Sequence, residues 1–579
     1  MYKRIESPII ILILTIGLNY FLCSCENTKT SDKSSISSNP VAIEKGNSLF
    51  ALHCIACHNF NQDGIGPKLG GVTELVSRDY LYTFIKNPQS IIQSGDNRAQ
   101  KLFDKYHTVM PSFEHLSEDD IESLIAYLHT QKAAPIRDNK MDLKVLSNPI
   151  PEPISKDGLL VELELFCQIP PSSEHLPYTR ITKLISQPTT DKLFVVDLRG
   201  QLFSIQNKKP QLYLDLNQYF PNFIHQPGLG SGFGSFAFHP NWAKNGLLYT
   251  THTEKSGSGK ADFSYADSIP TKIQWVLTEW KTLKPKSKMF IGEHRELLRI
   301  NMVDVAHGVQ EITFNHFAKP GEKEYGLLYM GIGDGTSLQN GITSLTQSRE
   351  KIWGTVVRID PMGSNSRNGK YGIPIDNPWS NSNEPNVLQE IYAYGFRNPH
   401  RINWTQTGLM IVANIGQGNI ESLYQVLPGN NYGWPIREGT FMMNPDDNLN
   451  NVYTLPADDD IYGISYPIAQ YDHDEGVAIS GGYEYTGTDI PELKGKYIFG
   501  DIVSGRLFYI NVNDIQLGDQ AEIKEWQVSF KGSTVSMEDL CKNKRVDLRI
   551  GKDSSGELYI ATKPDGKIYK CVSASKQGM

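Results

Sequence analysis

The sequence predicts two folded parts, a small all-α domain followed by a much larger all-β domain. The chain has 579 residues, which is more than one ordinary domain contains. Apolar residues recur at helical spacing up to about residue 132, and short β-type runs separated by turns follow from about residue 159. The 49 Gly, 32 Pro and 28 Tyr also favour turn-rich β structure over most of the chain.

The first residues have the features of an export signal. Two basic residues precede a short apolar stretch, Pro8 to Cys23, which is short for a helix that spans a bilayer. The run LCSC resembles the lipobox of bacterial lipoproteins, in which Cys25 would carry the lipid; an ordinary cleaved signal is the alternative. We expect an export signal over 1–25 and a flexible tether over 26–40. The protein would then be periplasmic or at the cell surface, anchored by lipid.

Charge and cysteine usage limit the partners. The formal net charge is −8 and the sequence has no dense run of Lys and Arg, which argues against a nucleic-acid partner. No stretch after the signal is long and apolar enough to cross a membrane, so any membrane contact would be through the lipid. Two of the seven cysteines lie in the signal and two in the motif described below. In an oxidising compartment the other three allow one disulfide of unspecified pairing: Cys167, Cys541 and Cys571.

Helices are predicted throughout the first domain, residues 41–133. One is NPVAIEKGNSLFALHC, and another, RDYLYTFIKNP, ends at Pro88. The last begins after Ser117, which suits an N-cap and is followed by acidic residues in the first turn. Its apolar residues keep helical spacing: Ile121, Leu124, Ile125 and Leu128. The next segment, 134–158, contains four prolines and no sustained periodicity, and it predicts an interdomain linker.

The segment ALHCIACHNF contains the pattern C-x-x-C-H, formed by Cys54, Cys57 and His58. Two thiols one helical turn apart can both bond the vinyl groups of a haem, and the residue that follows can ligate the iron. Half of a zinc site is the alternative, but zinc would need a second C-x-x-C or paired His nearby, and the sequence has neither. The motif therefore predicts covalently attached haem c.

Two further segments resemble the class I cytochrome c family. In GIGPKLGGV, the resemblance implies that the carbonyl of Pro67 orients the ring N–H of His58. In TVMPSF, Met110 stands just before the last helix and would be the second iron ligand. His/Met ligation raises the haem potential, which suits electron transfer. His53 is expected to be a surface residue.

The second domain, residues 159–574, is built from short runs such as KLFVVDLRGQLFSI and GLLYMGIGDG. No helical stretch is long enough to form βαβ units. Many short strands separated by turn clusters suggest a propeller, whose radial sheets leave only short edges. A pair of stacked β-sandwich domains would fit the same strands.

Several segments in this domain resemble the soluble glucose dehydrogenase and sorbosone dehydrogenase family, which uses pyrroloquinoline quinone (PQQ). They include GSFAFHPNWAKNGLLYTTHT, GLLYMGIGDG, EIYAYGFRNPHRINW and ANIGQGNIESLYQVLPGNNYGWPIREG, and the resemblance extends from about Tyr178 to Lys570. It implies PQQ over the central mouth of a propeller, held by Ca²⁺. The whole chain would then be a small all-α cytochrome c domain followed by an all-β six-bladed propeller.

The resemblance also implies residues that hold PQQ, an ortho-quinone whose three carboxylates need fixed cations. Arg397 and Asn398 in FRNPH match the family pair near the reactive carbonyl, where an Arg can stabilise an oxyanion. A structural Arg that bonds turn carbonyls is the alternative. Arg545 and Arg549 in RVDLR match the family's carboxylate-binding arginines. Thr486 stands where the family often has a basic residue.

The calcium site and the proton acceptor also rest on the resemblance. Calcium would be bound by backbone oxygens of Gly416 and Gln417, hard ligands of the kind that Ca²⁺ takes. The general base would be His316, oriented by Asp334 of GIGDG. The family places a glycine turn after this His, and here that turn is replaced, so a loop role for His316 stays open. Two other histidines are expected in structural turns: His239 and His400.

Together these features predict an exported quinohaemoprotein that oxidises a sugar or a related alcohol or aldehyde. Electrons would pass to the fused haem and on to a cytochrome or another component of a respiratory chain. The first alternative is a non-catalytic binding module, because hedgehog-interacting proteins resemble this propeller and act in protein recognition. A third possibility is an electron carrier whose propeller docks partners.

Overall fold

The computed structural model of the protein describes most of the chain from residue 36 onward, and these residues belong to one compact unit. The described residues are 36–54, 57, 58, 60, 66–106, 108–132, 144–226, 230–445 and 448–576. The predicted export signal, Cys25 and residues 26–35 of the predicted tether lie outside them. Among the described segments, no helix has the length and apolar character that crossing a membrane requires.

Helices make up the N-terminal domain. In chain order they are α1 Pro40–His53, α2 Val72–Leu75, α3 Arg78–Lys86, α4 Pro88–Gln93, α5 Asn97–Tyr106 and α6 Glu118–Thr130. The helices predicted from sequence are α1, α3 and α6. Ser117 caps α6 as predicted, since its side chain accepts the N–H of Asp120 while the Asp120 carboxylate returns the bond. Pro88 does end α3, and it also begins α4, where a missing N–H costs nothing.

The crossing of α1 and α6 organises this domain. Gly46 lies so close to α6 that an added Cβ would stand 1.9 Å from the carbonyl oxygen of Ser123. A glycine is therefore needed where the two helices meet. The apolar face of α6 packs there with Phe50 of α1, and the core continues through Leu124, Ile125 and Leu128.

Strands make up the rest of the described chain. They are β1 Ser155–Gln168, β2 Ile181–Ser186, β3 Leu193–Asp197, β4 Gln201–Gln206, β5 Lys209–Asp215, β6 Phe233–Phe238, β7 Leu247–Lys255, β8 Ile273–Thr282, β9 Gly292–Met302, β10 Glu311–Phe314, β11 Leu328–Ile332, β12 Thr355–Ile359, β13 Ile391–Tyr394 and β14 Pro399–Trp404. After these come β15 Met410–Asn414, β16 Ile420–Gln425, β17 Arg437–Glu438, β18 Phe441–Met443, β19 Val452–Tyr453, β20 Ala469–Asp472, β21 Tyr483–Glu484, β22 Lys496–Gly500, β23 Leu507–Asn511, β24 Lys524–Phe530, β25 Ser533–Val535, β26 Leu548–Lys552, β27 Leu558–Thr562 and β28 Lys567–Lys576. Two short helices interrupt them: α7 Trp242–Asn245 and α8 Met537–Cys541.

Consecutive strands pair antiparallel in small groups. Separate four-stranded sheets are formed by β6–β9, by β10–β13, and by β14–β16 with β20, and β17–β19 form a three-stranded sheet. A larger sheet has the order β21-β22-β23-β24-β1-β28-β27-β26-β2-β3-β4-β5, with β25 on β24. Strand β1 begins inside the predicted linker and lies between β24, to which it runs parallel, and β28, to which it runs antiparallel.

Hydrophobic clusters fill the space between neighbouring sheets. Side chains of β11 show how, because successive residues of a strand point to opposite faces. Met330 packs in a cluster with Trp275 of β8, whereas its neighbour Tyr329 packs in another cluster with Trp404 of β14. The sheet β10–β13 is therefore covered on both faces, which explains why β11 and β12 are buried along their whole length.

Buried charges join the first strands of several groups. Lys183 on β2 lies 2.5 Å from the carboxylate of Glu311 on β10, and Arg401 on β14 lies 3.4 Å from the other oxygen of that carboxylate. Lys183 also donates to Ser235 on β6 at 3.3 Å. All four side chains are buried. Because a buried charge must be paired, this cluster fixes how the four strands approach one another.

Candidate functional site

The C-x-x-C-H motif follows α1 directly, and its backbone forms one tight turn. The N–H groups of Cys57 and His58 donate to the carbonyl of Cys54, at 3.1 and 2.9 Å. Neither cysteine is in a disulfide, and both line one cavity together with His58 and Met110. The residues that the sequence assigned to the haem vinyls and to the iron therefore line the same cavity.

The ring of His58 is held in the orientation that the sequence predicts. Its Nδ1–H donates to the carbonyl of Pro67 at 2.8 Å, which makes Nε2 the nitrogen that can ligate iron. Gly66 lies against the same ring, and an added Cβ there would stand 2.5 Å from the ring carbon Cε1. The donor set, its orientation and the cavity fit a covalently attached haem.

Both domains line this cavity, whose volume is about 1000 Å³. The N-terminal domain supplies the haem motif and residues 109–115. The β domain supplies residues 172–178 and a group of charged side chains: Arg180, Arg199, Arg545, Asp547 and Lys563. One wall of the haem cavity thus belongs to the β domain.

A His–Asp pair lies in the β domain, where the loop after β9 meets the end of β11. Nδ1 of His307 and Oδ1 of Asp334 are 2.8 Å apart, and the two residues are 6% and 1% exposed. With Nδ1 donating to the carboxylate, Nε2 is the ring nitrogen left to accept a proton. The backbone of His307 has φ 50°, a left-handed conformation that is uncommon for a non-glycine residue.

Asp334 is also where three of the family-like motifs meet. Its second carboxylate oxygen accepts the indole N–H of Trp434 at 3.0 Å, and its own N–H donates to the carbonyl of Arg397 at 2.8 Å. The Arg397 guanidinium carbon lies 5.7 Å from the centre of the Trp434 ring. The G-D-G, F-R-N-P and N-Y-G-W-P motifs are therefore in direct contact.

Arg397 is 1% exposed and keeps one nitrogen unpaired. Its Nε donates to the side-chain oxygen of Gln417 at 3.0 Å, and Nη1 donates to the carbonyl of Ile415 at 3.3 Å. Within the described chain, Nη2 of Arg397 and Nε2 of Gln417 have no acceptor. Leaving buried donors unpaired is costly, so these two groups offer a site to a carbonyl or anionic oxygen.

The loop between β15 and β16 contains both predicted calcium-binding residues. Oε1 of Glu438 accepts the backbone N–H groups of this loop at 2.6 to 3.1 Å, from Gln417, Gly418, Asn419 and Ile420. No hydrogen bond between described residues ends on the carbonyl oxygen of Gly416 or Gln417. Among all the residues that the structure describes, His, Cys, Asp and Glu side chains form no group of three or more that could hold a metal ion. Backbone oxygens are thus the hard ligands that this loop offers.

Buried cations collect near the His–Asp pair. We call Arg180, Arg545, Arg549 and Lys563 the basic cluster; all but Arg545 are 5–7% exposed. Asp547 is the carboxylate among them, 3.0 Å from Arg545 and 3.6 Å from Lys563. Burial lowers the pKa of Lys563 to about 7, against the opposing effect of Asp547. Asp197 is a second buried carboxylate nearby, and it accepts the backbone N–H of Arg180 at 2.9 Å. The four cations still outnumber the two carboxylates, and this excess of positive charge fits a ligand with several carboxylates.

The sequence predicted a structural turn for His400, and this prediction is wrong, because His400 lies in a strand and belongs to this site. It lies in β14, is 2% exposed, and both of its ring nitrogens lack a partner in the described chain. Burial, with Arg401, Arg549 and Lys563 nearby, holds its pKa well below the ordinary value. A neutral, unpaired imidazole beside buried cations is a further group that a ligand could bond.

The predicted contact between His316 and Asp334 is wrong. His316 is exposed, and its Nε2 lies 3.0 Å from Nζ of Lys552. His307, which sequence reasoning missed, is the histidine on Asp334. The signal was present in the sequence, because His307 directly precedes Gly308, as the family's histidine precedes its glycine turn.

Other predicted residues differ in smaller ways. Thr486 packs against Gly556, where an added Cβ would stand 2.2 Å from its hydroxyl oxygen. Its lack of charge does not leave the site short of cations, because the unpredicted Arg180 and Lys563 are present.

His53, expected on the surface, lines the haem cavity, and burial lowers its pKa to about 4. His239 is in a turn as expected, accepting the N–H of Asn241 at 3.0 Å. The disulfide that the sequence allowed is not formed, since free thiols remain on Cys167, Cys541 and Cys571.

Fold and site define a c-type cytochrome domain joined to an all-β domain of the sugar-dehydrogenase kind. The chain belongs to the Glucose / Sorbosone dehydrogenase family, whose model matches residues 184–570, and a Cytochrome c model matches residues 43–132. The crystal structure of the soluble aldose sugar dehydrogenase (Asd) from Escherichia coli in the apo form is similar in fold, with TM-score 0.50 and 17% identity over 72% of this chain and 100% of that one.

Curated relatives include enzymes and other proteins. HIPL1 protein of Arabidopsis thaliana is 26% identical over 60% of this chain and 53% of its own length. Hedgehog-interacting protein of Mus musculus is 24% identical over 65% of this chain and 47% of its own. Quinoprotein glucose dehydrogenase B of Acinetobacter calcoaceticus is 28% identical over 52% of this chain and 58% of its own. The chain thus spans about half the length of the curated relatives it matches.

Proposed function

We propose that this protein is a quinohaemoprotein dehydrogenase that oxidises a sugar or a related alcohol or aldehyde. The observation that carries this proposal is the buried His307–Asp334 pair beside the unpaired Nη2 of Arg397, within a domain of the Glucose / Sorbosone dehydrogenase family. The relative named quinoprotein glucose dehydrogenase B supports a quinone cofactor. When bound, PQQ would accept the hydride equivalent and haem c the electrons.

The residues that would hold PQQ are those with unsatisfied charge or hydrogen-bonding capacity. Its carboxylates would be bound by the basic cluster, where Arg549 and Lys563 exceed the charge of Asp547. Its quinone edge would lie near Arg397 and Asn398. Calcium would be bound there by the carbonyl oxygens of Gly416 and Gln417 and polarise the same edge.

His307 is the general base in this proposal. Burial and the charge of Arg397 lower its pKa, although Asp334 opposes them, so the ring is neutral near pH 7 and able to accept a proton at Nε2. The Asp334 carboxylate then stabilises the imidazolium through Nδ1. Nη2 of Arg397 donates a hydrogen bond to the oxygen on which negative charge develops.

A six-bladed propeller is the arrangement that we propose for the β domain. The first strands of the four-stranded groups neighbour one another in the series β2, β6, β10, β14, β21, β26, and β26 in turn neighbours β2. Strand β1 supplies the fourth member of the group β26–β28. A closed series of six inner strands supports a six-bladed propeller.

The remaining proposals concern location and organisation. The lipobox-like run ending at Cys25 supports export with a lipid anchor. For the haem domain we keep the predicted bounds 41–133, whereas the strands of the β domain, predicted at 159–574, begin at Ser155 and end at Lys576. A covalent link between the domains keeps the haem at high effective concentration beside the dehydrogenase site. From the haem, electrons would pass to a cytochrome or another respiratory acceptor.

A non-catalytic binding module is the second candidate. The match to Hedgehog-interacting protein of Mus musculus supports it, because that name describes protein recognition and no oxidation. In this case the basic cluster would bind an acidic partner and the haem would relay redox state.

Haem reduction by substrate separates the two candidates. The chain is produced with haem maturation, supplied with PQQ and Ca²⁺, and the reduced haem absorption band is followed as aldoses, polyols and aldehydes are added. We expect reduction with at least one of them and none without PQQ. If no member of the panel reduces the haem, the dehydrogenase proposal is overturned and the binding module remains.

A further inference from the structure

The β domain completes the haem cavity, and one of its side chains reaches across to the haem domain. Nη1 of Arg545 lies 3.5 Å from the hydroxyl oxygen of Thr108, which stands two residues before the predicted iron ligand Met110. Arg545 also lines the haem cavity itself. The guanidinium therefore stands in the wall of the haem cavity beside the segment that carries Met110.

Arg545 is also the outer end of a line of charged groups. Its Nε lies 3.0 Å from Oδ1 of Asp547, and Oδ2 of Asp547 lies 3.6 Å from Nζ of Lys563. Thr108, Arg545, Asp547 and Lys563 thus form a continuous polar connection from the haem cavity to the basic cluster. The two functional sites are joined by contacts within one molecule, not merely by a linker.

We propose that Arg545 is a bridge residue that presents a positive charge of the β domain to the haem cavity beside the Met110 segment and so raises the haem reduction potential. The inference rests on haem attachment, which is part of the proposed function, but it does not require sugar oxidation. Arg545 acts through its charge and position and takes part in no bond-breaking step.

The physical reason is the charge balance of iron reduction. Fe(III) gains one electron when it becomes Fe(II), so a nearby cation stabilises the reduced state relative to the oxidised state. Arg545 is only 23% exposed at its side chain, so water screens its charge incompletely. The Asp547 carboxylate, 3.0 Å from Nε of Arg545, offsets part of that charge, and without Arg545 it would favour Fe(III) in the same direction. The coupling is reciprocal: an anionic ligand bound at the basic cluster would lower the haem potential, and oxidised haem would favour that ligand.

The test is the haem reduction potential of Arg545→Met, measured by spectroelectrochemical titration of the full chain without substrate or PQQ. Met keeps much of the side-chain length and removes the charge. We expect the reduction equilibrium to shift toward Fe(III) by about threefold to tenfold, which is ~28–59 mV for a one-electron couple. Arg545→Lys keeps the charge and should restore the potential to within about twofold of the original equilibrium.

A matched control removes a cation that is far from the cavity lining. Lys244 is exposed in α7 and does not line the cavity, so Lys244→Met should leave the potential unchanged. An Arg545→Met potential equal to that of Lys244→Met would overturn the bridge. Because the titration uses the haem alone, a protein that oxidises no sugar still tests this inference.

Discussion

His307 and His316 both precede Asp334 in the chain, but their surroundings give them different chemistry. His307 is buried and bonded through Nδ1 to an ionisable partner, so its second nitrogen can act on a substrate. His316 is exposed beside the cationic Lys552, and a neighbouring cation does not stabilise a protonated imidazole ring. A general base needs the first arrangement.

We expect His307→Asn to lower the rate of substrate-dependent haem reduction by about 10²- to 10⁴-fold, because the proton acceptor is lost. His316→Asn serves as the matched control and should keep the original rate. Both are measured as initial rates of haem reduction with PQQ and Ca²⁺ present, and melting temperature shows that each variant is folded. Equal loss in both variants would contradict the assignment.

Lys563 gives cofactor binding a predicted dependence on pH. Its pKa is lowered to about 7 by burial, and a bound polyanion stabilises the protonated form. Binding therefore takes up a proton above pH 7, and PQQ affinity should fall as the pH rises from 7 to 9, by up to about tenfold per unit. Lys563→Met should bind more weakly at pH 7 and lose this dependence, as measured by calorimetric titration. Wild-type affinity that does not change with pH would contradict it.

Among the elements, the loop between β15 and β16 is shaped by a single acceptor. Glu438, on β17, draws the N–H groups of residues 417–420 toward its Oε1. This arrangement resembles an anion-binding turn filled by the protein's own carboxylate, and it leaves the carbonyl oxygens of Gly416 and Gln417 for another ligand.

Glu438→Gln should therefore both destabilise the β domain and weaken calcium binding. The amide keeps one acceptor but loses the charge and brings an N–H₂ group close to donors, so we expect a loss of about 2 kcal/mol or more in the free energy of unfolding. Urea unfolding with and without added Ca²⁺ measures both effects. The exposed Glu492 offers a control, since Glu492→Gln should change neither. A calcium response equal to that of the original protein would count against the calcium loop.

Element prediction succeeded where the signals are local. The Ser117 cap and the apolar spacing of α6 are contained in a few neighbouring residues, and the structure confirms them. Strand β1 was assigned partly to the linker because its partners, β24 and β28, lie hundreds of residues away. The same physics explains the site: Arg180 directly precedes β2 and Lys563 directly follows β27, hundreds of residues later, and no sequence period predicts that they meet. His307 lies in a loop, where residue periodicity predicts nothing, and only the glycine that follows it indicates a functional histidine.

For the whole molecule, the common cavity is the feature that the linear sequence hides most completely. Its motif-bearing half was predictable from C-x-x-C-H, whereas its other wall comes from residues 172–178 and from three members of the basic cluster, Arg180, Arg545 and Lys563. How two domains pack together depends on the shape and charge of their surfaces, and residue periodicity within either domain does not reveal it. The resemblance to two families identified the domains but not their joint cavity.

The thiols give a prediction for the molecule as a whole. The cysteines of the β domain, Cys167, Cys541 and Cys571, are buried and unpaired, and burial raises the pKa of each. A buried thiol is slow to react, so these residues should resist alkylation in the folded protein and react fully after unfolding. Peptide mass mapping with and without denaturant measures this, and reducing agent should leave the melting temperature unchanged. A disulfide-linked peptide from the untreated protein would contradict the structure.

The position of β1 has a consequence for how the protein is made. The first strand of the β domain is flanked by β24 and β28, and β28, Lys567–Lys576, is the last strand of the chain. During synthesis the haem-binding segment and its helices are complete long before β28 emerges. Haem can therefore be attached while the wall that includes Arg545 is still missing and the thiols of Cys54 and Cys57 are accessible to the attachment machinery. Addition of β28 between β1 and β27 would then complete the larger sheet beside a cytochrome that is already mature.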